Sequence, residues 1–277
     1  MHKSLLLLTA AAGLTLTASA QVFVTSDDFN DNSRDAARWT LSSFTTAGSA
    51  MTEANGRTEF TTTNTSGAAQ GGIRSVPFNS GPTNWTNSWQ LTVDATNNVN
   101  PSSLVSGQTI RAAMDIWVNG PTGGFPTLSI GLRSDGTGQH QYIRMLNTYT
   151  TTSTPNAIVD FDLGNVSSTT AALRFTFDAA TKTLSAGYSL DNRANFTTMY
   201  SIDLDSGATG AWINESDLPT YGFGMNVWGY AANSAVTPGQ VSWDNFSVSA
   251  IPEPSTDAAI AGVAGLGLAG WRRRRRA

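Results

Sequence analysis

The residues best equipped for chemistry in this 277-residue chain are carboxylates, and few of them are placed for it. Hydrolysis of a glycosidic bond ordinarily needs two carboxyl groups about 5–9.5 Å apart across a cleft. Asp160-x-Asp162 and Asp203-x-Asp205 each put two carboxylates on one face of an extended strand, but each pair lies close to a glycine, as solvated strand ends do. Between residues 21 and 251 the only glutamates are Glu53, Glu59 and Glu215, and the only histidine is His140. A Ser-His-Asp triad would depend on that one imidazole, and no G-x-S-x-G elbow is present to carry its serine. The chain has no cysteine, which excludes disulfides and thiolate chemistry, and the histidines form no zinc-binding cluster. Asp28-x-Asn30-x-Asn32 imitates the start of a calcium loop, but Ser33 replaces its glycine and Trp39 its closing glutamate. The expectation is a protein that is not an enzyme.

What remains is a set of aromatic and polar side chains that alternate along strands. In IRAAMDIWVNG, Ile110, Ala112, Met114, Ile116 and Val118 form one face, and Arg111, Asp115 and Trp117 the other. His140, Tyr142 and Arg144 share a face in the same way, and Trp228 lies opposite Phe223 and Met225. Sugars stack on exposed aromatic rings while a few polar side chains fix their hydroxyls. Arg111, Asp115, Trp117, His140, Tyr142 and Arg144 are therefore the candidate glycan-binding set.

The elements that must position these residues are strands. Short runs of period-two alternation recur, broken by Gly, Asn, Asp and Pro. Leu128, Ile130 and Leu132 make one inward face, and Tyr221, Phe223, Met225 and Val227 alternate with neighbours that include glycines. A hairpin is expected in which Leu173, Phe175 and Phe177 rise, Asp178 to Lys182 turn, and Leu184 to Leu190 return. Short helices are expected only around Ser33 to Trp39 and Glu215 to Leu218. A dozen or more strands in one unit imply an all-β fold of two packed antiparallel sheets, spanning residues 21–251.

Both ends carry addresses. His2 and Lys3, the apolar run Leu5 to Leu16 and Ala18-Ser19-Ala20 make a signal peptide over residues 1–20, to be cut by signal peptidase. At the other end Pro252, Glu253 and Pro254 precede 17 residues of weakly apolar sequence, beginning with Ser255, and a block of five arginines, Arg272, Arg273, Arg274, Arg275 and Arg276. That block is a positive-inside stop. Gly265, Gly267 and Gly270 spell G-x-G-x-x-G, but prolines precede and arginines follow where a dinucleotide site needs a strand and a helix. Residues 252–277 resemble the PEP-CTERM sorting tail of exported Gram-negative proteins, with Asp257 departing from its apolar pattern. The resemblance implies a transmembrane sorting helix, transient anchoring in the inner membrane, processing by an exosortase, and a final place at the cell surface or in an exopolysaccharide-rich biofilm matrix.

Residues 21–251 carry ten basic and eighteen acidic residues, a net charge of −8, which argues against nucleic acid or an anionic membrane as partner. The same balance points to a neutral or cationic polymer, or to an anionic one bridged by calcium. DDFNDNSRDAARW (Asp27 to Trp39), the Phe175 to Tyr188 hairpin and VSWDNFSV (Val241 to Val248) resemble the concanavalin A-like jelly rolls, whose first and last strands are neighbours. That likeness implies a two-sheet jelly-roll sandwich and a structural calcium held by Asp27, Asp28, Asn30 and Asp244. It does not carry an active site: the glucanase branch of the fold bears E-x-D-x-x-E on one strand, and no such run occurs here. Two functions stay open, a non-enzymatic polysaccharide-binding surface protein and a glycan-active enzyme, a hydrolase or lyase.

Overall fold

The computed structural model describes residues 26–75, 85, 87–119, 127–147, 157–203 and 222–250. The signal peptide, the expected helix at Glu215 to Leu218 and the sorting tail lie outside these residues. Within the described residues fourteen strands build two antiparallel sheets of seven. One sheet is ordered β1 (Trp39–Leu41), β4 (Ala68–Ser75), β13 (Gly222–Ala232), β6 (Thr109–Asn119), β7 (Thr127–Asp135), β8 (Gly138–Asn147) and β9 (Ala157–Asn165). The other is ordered β12 (Thr197–Asp203), β11 (Thr183–Ser189), β10 (Thr170–Asp178), β5 (Trp89–Asn97), β14 (Val236–Ala250), β3 (Arg57–Thr62) and β2 (Ser49–Ala54). The chain is a two-sheet jelly roll, as its periodicity predicts.

The inward faces form one core. Leu91, Val93, Phe175, Phe177, Val241, Trp243 and Phe60 of the second sheet join Ile110, Met114, Ile116, Leu128, Ile130, Leu132, Met225 and Val227 of the first. Each such side chain, fully buried, contributes roughly 1.5–3 kcal/mol relative to exposure. The Phe60 ring needs Gly229, where a Cβ would come within 2.3 Å of it. Turns are set by local chemistry. Asn55 and Gly56 both adopt positive φ (57° and 69°) between β2 and β3, the I′ geometry that matches strand twist. In the β10–β11 hairpin Asp178 Oδ1 accepts from the Ala180 and Thr181 amides, and Phe177 stands opposite Leu184 as expected.

The two ends of the domain meet. Asp27 bridges Phe246, its amide donating to the Phe246 carbonyl at 2.9 Å, and the Val248 amide donates to Ser26 Oγ. Against β5 the register shifts between Asp244 and Ser247, and Asn245 adopts φ 52°. Phe246 is buried there against Trp39, 5.2 Å between rings, and Trp39 in turn meets Phe29 at 5.5 Å.

One expected element is corrected. Ser33 to Trp39 is not a helix: the chain makes turns, and the Trp39 amide reaches the Asp35 carbonyl in a single loop before β1 begins at Trp39 itself. Trp39 must be extended to pair with Ser75 while its Nε1 donates to Asp27 Oδ2 at 2.7 Å. Burial of that indole outweighs the weak helical tendency of a seven-residue segment.

Candidate functional site: the outer face of the first sheet

Since even-numbered residues of β6 fill the core, Arg111, Ala113, Asp115 and Trp117 must face outward. Cross-strand register extends this row into neighbouring strands. Asp115 is opposite Asn226 of β13 and Ser129 of β7, Arg111 is opposite Tyr230 and Arg133, and Arg133 is opposite His140. Arg144 takes the register position opposite Ser129 and next to Asp160, while Tyr142 pairs with Gly131 and Asp162. The six candidates read from the sequence thus belong to one face, together with Arg74, Trp228, Tyr230 and Arg133, which sequence reasoning did not group with them.

This face is not an open aromatic platform. Tyr142, expected to be exposed, is 1 % exposed, Asp115 6 % and His140 7 %. Tyr142 packs with Ala113 and Trp228, and the Phe44 ring leans on Trp228 from the β1–β2 loop. Gly72 makes that approach feasible, for a Cβ there would come within 2.9 Å of Phe44. Small residues beneath, Ala113 and Gly131, let the larger side chains close over the sheet. Trp117, Arg111, Arg74 and Tyr230 remain half-buried at the surface.

Arginine and aromatic side chains are interleaved there. The Arg111 guanidinium lies 5.0 Å from the Tyr142 ring centre and 5.4 Å from that of Tyr230, and Arg74 lies 5.8 Å from that of Trp117. Arg111 Nε and Trp228 Nε1 are shielded from water and meet no acceptor among the described residues.

The acids differ sharply. Burial pushes the Asp115 carboxyl up to about 7, against the opposing pull of the 2.7 Å hydrogen bond donated by Asn226 Nδ2. Asn226 Oδ1 in turn accepts from Ser42 Oγ. Asp162 and Asp135 are partly buried too, but Gly164 and Thr137 donors with the Arg133 and His140 charges hold both below the usual range. Arg133 reaches Asp162 at 2.7 Å and Asp135 at 3.2 Å, and His140 sits 3.3 Å and 3.4 Å from the same two carboxylates. Along the row Asp115, Ser129, Arg144, Asp160, the two carboxylates are three strands apart, about 14 Å at ~4.8 Å per strand. That exceeds the separation of either hydrolytic geometry. Asp203 belongs to β12, an edge strand of the other sheet, and Asp205 lies outside the described residues.

The calcium expectation meets a crowded site. Asp27 accepts from the Phe29 amide with one oxygen and from Trp39 Nε1 with the other. Asp28 Oδ1 accepts from the Asn30 amide and Asp244 Oδ1 from the Asn245 amide. Asp244 is pushed up by burial and by the charges of Asp94 and Asp28. The positive charge beside it is supplied by the chain: Arg193 binds Asp94, Ser247 Oγ and the Asn245 carbonyl. As arranged, Asp27, Asp28, Asn30 and Asp244 do not form an open shell, and among the described residues no three His, Cys, Asp or Glu side chains converge for a metal. Nearby, burial and the Asp31 carboxylate push Glu53 up to about 7.

Comparison with known proteins agrees with both parts of this description. Residues 250–276 match the PEP-CTERM protein-sorting motif, beginning where β14 ends. No curated protein matches the chain. Among solved structures the chain is similar to the CBM2 module of the evolved Dit of Lactobacillus casei BL23 phage J-1, at 11 % identity and TM-score 0.52, covering 81 % of this chain and 94 % of that one. It is also similar to the endo-1,3-beta-glucanase of Streptomyces sioyaensis, at 13 % identity and TM-score 0.50, covering 83 % and 96 %. Peanut lectin is more distant in shape, at 14 % identity and TM-score 0.43, with 83 % and 99 % covered. The fold is the two-sheet jelly roll shared with that CBM2 module and that glucanase, and the chain carries an export and envelope-sorting signal.

Proposed function

We propose that this protein is a non-enzymatic surface or matrix component. In this reading signal peptidase and an exosortase process it, and its sandwich binds exopolysaccharide on the outer face of the first sheet. The observation that carries the reading is the interleaving of half-buried Arg74, Trp117, Arg111 and Tyr230. The acids of the same face are ill suited to cleavage. Asp115 stands too far from Asp160, and Asp135 and Asp162 are held low by their Thr137 and Gly164 donors and by the His140 and Arg133 charges, so neither is suited to donate a proton near neutral pH. The sorting motif supports delivery toward the polymers outside the cell, and the fold is one on which such faces are built. Fold alone does not assign function. A glycan-array screen of the purified protein tests the proposal: retention on one or more polysaccharides, reduced about tenfold in Trp117→Ala, is expected. A wild-type protein retained by none would reject it.

The enzyme reading has one observation in its favour, the buried Asp115 carboxyl, raised to about 7 and so able to keep a proton part of the time at neutral pH. A lone acid of this kind lacks a described partner at the spacing that hydrolysis requires.

A further inference from the structure

Arg111 is the anomaly of the outer face. Its guanidinium is flanked by two tyrosine rings, its Nε is shielded from water, and among the described residues no group accepts a hydrogen bond from that nitrogen or pairs with its charge. Its cross-strand neighbour on β7, Arg133, is by contrast held by Asp135 and Asp162. Asp115, the acid of the same strand, lies four residues away, about 13 Å along the backbone. A fixed arginine fork, desolvated on one side and left without an anion, matches the geometry of a planar carboxylate. Stacking on two rings holds it without consuming its donors.

Resting on the polysaccharide-binding reading above, we propose that the ligand is an acidic polysaccharide, whose uronate carboxylate is received by Arg111 while its sugar ring lies against Tyr230. Trp117, capped by Arg74, is six residues along the same strand, about 20 Å away, so a chain rather than a single sugar spans both arginine–aromatic units. The net charge of −8 over residues 21–251 points to a neutral or cationic polymer, or to an anionic one bridged by calcium. That total hides the local distribution: on this sheet Arg74, Arg111, Arg133 and Arg144 take outward register positions beside Asp115, Asp135, Asp160 and Asp162, so this face is close to neutral, and the excess of acid lies among the other six basic and fourteen acidic residues. The remaining surface repels a polyanion, which confines it to this face.

Affinity electrophoresis of the secreted protein in gels containing polygalacturonate, or the same polymer with its carboxylates reduced to alcohols, tests the proposal. Wild-type protein is expected to bind the acidic polymer at least tenfold more tightly than its reduced form. Arg111→Gln should erase that preference, and Arg111→Lys, which keeps the charge but loses the fork, should retain only a fraction of it. Thermal melting of each variant confirms that it is folded. Equal retardation of wild type by both polymers overturns this inference while leaving polysaccharide binding intact, as does a preference undiminished in Arg111→Gln. No retardation by these or by neutral polymers overturns both.

Discussion

Replacing Asp115 by Asn should flatten the pH dependence of folding stability. The carboxyl sits at the centre of the outer face, buried, with a folded-state pKa moved from 3.8 to about 7 by the loss of solvent. An acid raised in this way binds its proton more tightly folded than unfolded. Its contribution to stability is complete below pH 3.8 and vanishes as the pH rises through about 7. At about 1.4 kcal/mol per pKa unit, the full swing is on the order of 4 kcal/mol, of which about 3 kcal/mol falls between pH 5 and pH 8. Asp135, Asp162 and Asp191 are held low and titrate below this window. Glu53 is raised like Asp115 and adds a slope of the same sign, so the comparison with the variant isolates Asp115. The substituted amide keeps an oxygen to accept from Asn226 Nδ2 while removing the charge. Urea denaturation at pH 5, 6, 7 and 8 should show wild type losing stability with rising pH and Asp115→Asn losing about 3 kcal/mol less. Parallel curves for the two proteins would refute the argument, because the carboxyl would then be charged in the fold at little cost.

Tyr142→Ala should act on stability rather than on ligand contact: truncating a ring that is 1 % exposed costs about 3 kcal/mol and lowers Tm by on the order of 5–10 °C, read by calorimetry. Trp117→Ala, at the surface, should leave Tm nearly unchanged and weaken polysaccharide retention by roughly 1–2 kcal/mol. Chelation should shift Tm by less than about 1 °C, since both Asp27 oxygens already accept, from the Phe29 amide and Trp39 Nε1, and Arg193 supplies a local cation. A rise of several degrees on adding calcium would instead support a metal at this end of the domain, with Asp31 and Glu53 the first carboxylates to substitute. Changing Arg272 to Arg276 to Ser should impair envelope retention and processing, read by fractionation and intact mass, because the positive-inside stop is lost.

The architecture was legible because alternation is a strong local signal. Ile110 to Ile116 and Leu173 to Ala186 declare their inward faces by period two, and the structure buries both sets, whereas Leu190, read as the end of the returning strand, lies beyond β11 and is exposed. Which outward residues share a site was only partly legible. Arg111, Asp115 and Trp117 lie on one strand, but their grouping with Arg74, Trp228 and Tyr230 depends on β4 and β13 arriving beside β6 from distant parts of the chain. Burial of Tyr142 was hidden for a related reason: nothing in its own segment announces that Trp228 and Arg111 will close over it, or that Phe44 will pack beside them. The Asn55-Gly56 turn was written plainly in the sequence and went unused. Trp39 shows the opposite case, a residue whose helical surroundings misled because a tertiary contact with Asp27, Phe29 and Phe246 fixed its backbone.

The central claim is that this face holds a polysaccharide and does not cut it. A single incubation with matrix polysaccharide tests it most directly, with retardation in the gel and reducing ends in solution measured together. The account predicts retardation with no increase in reducing ends over a protein-free control. Accumulating reducing ends, or free migration through every polymer tried, would contradict it.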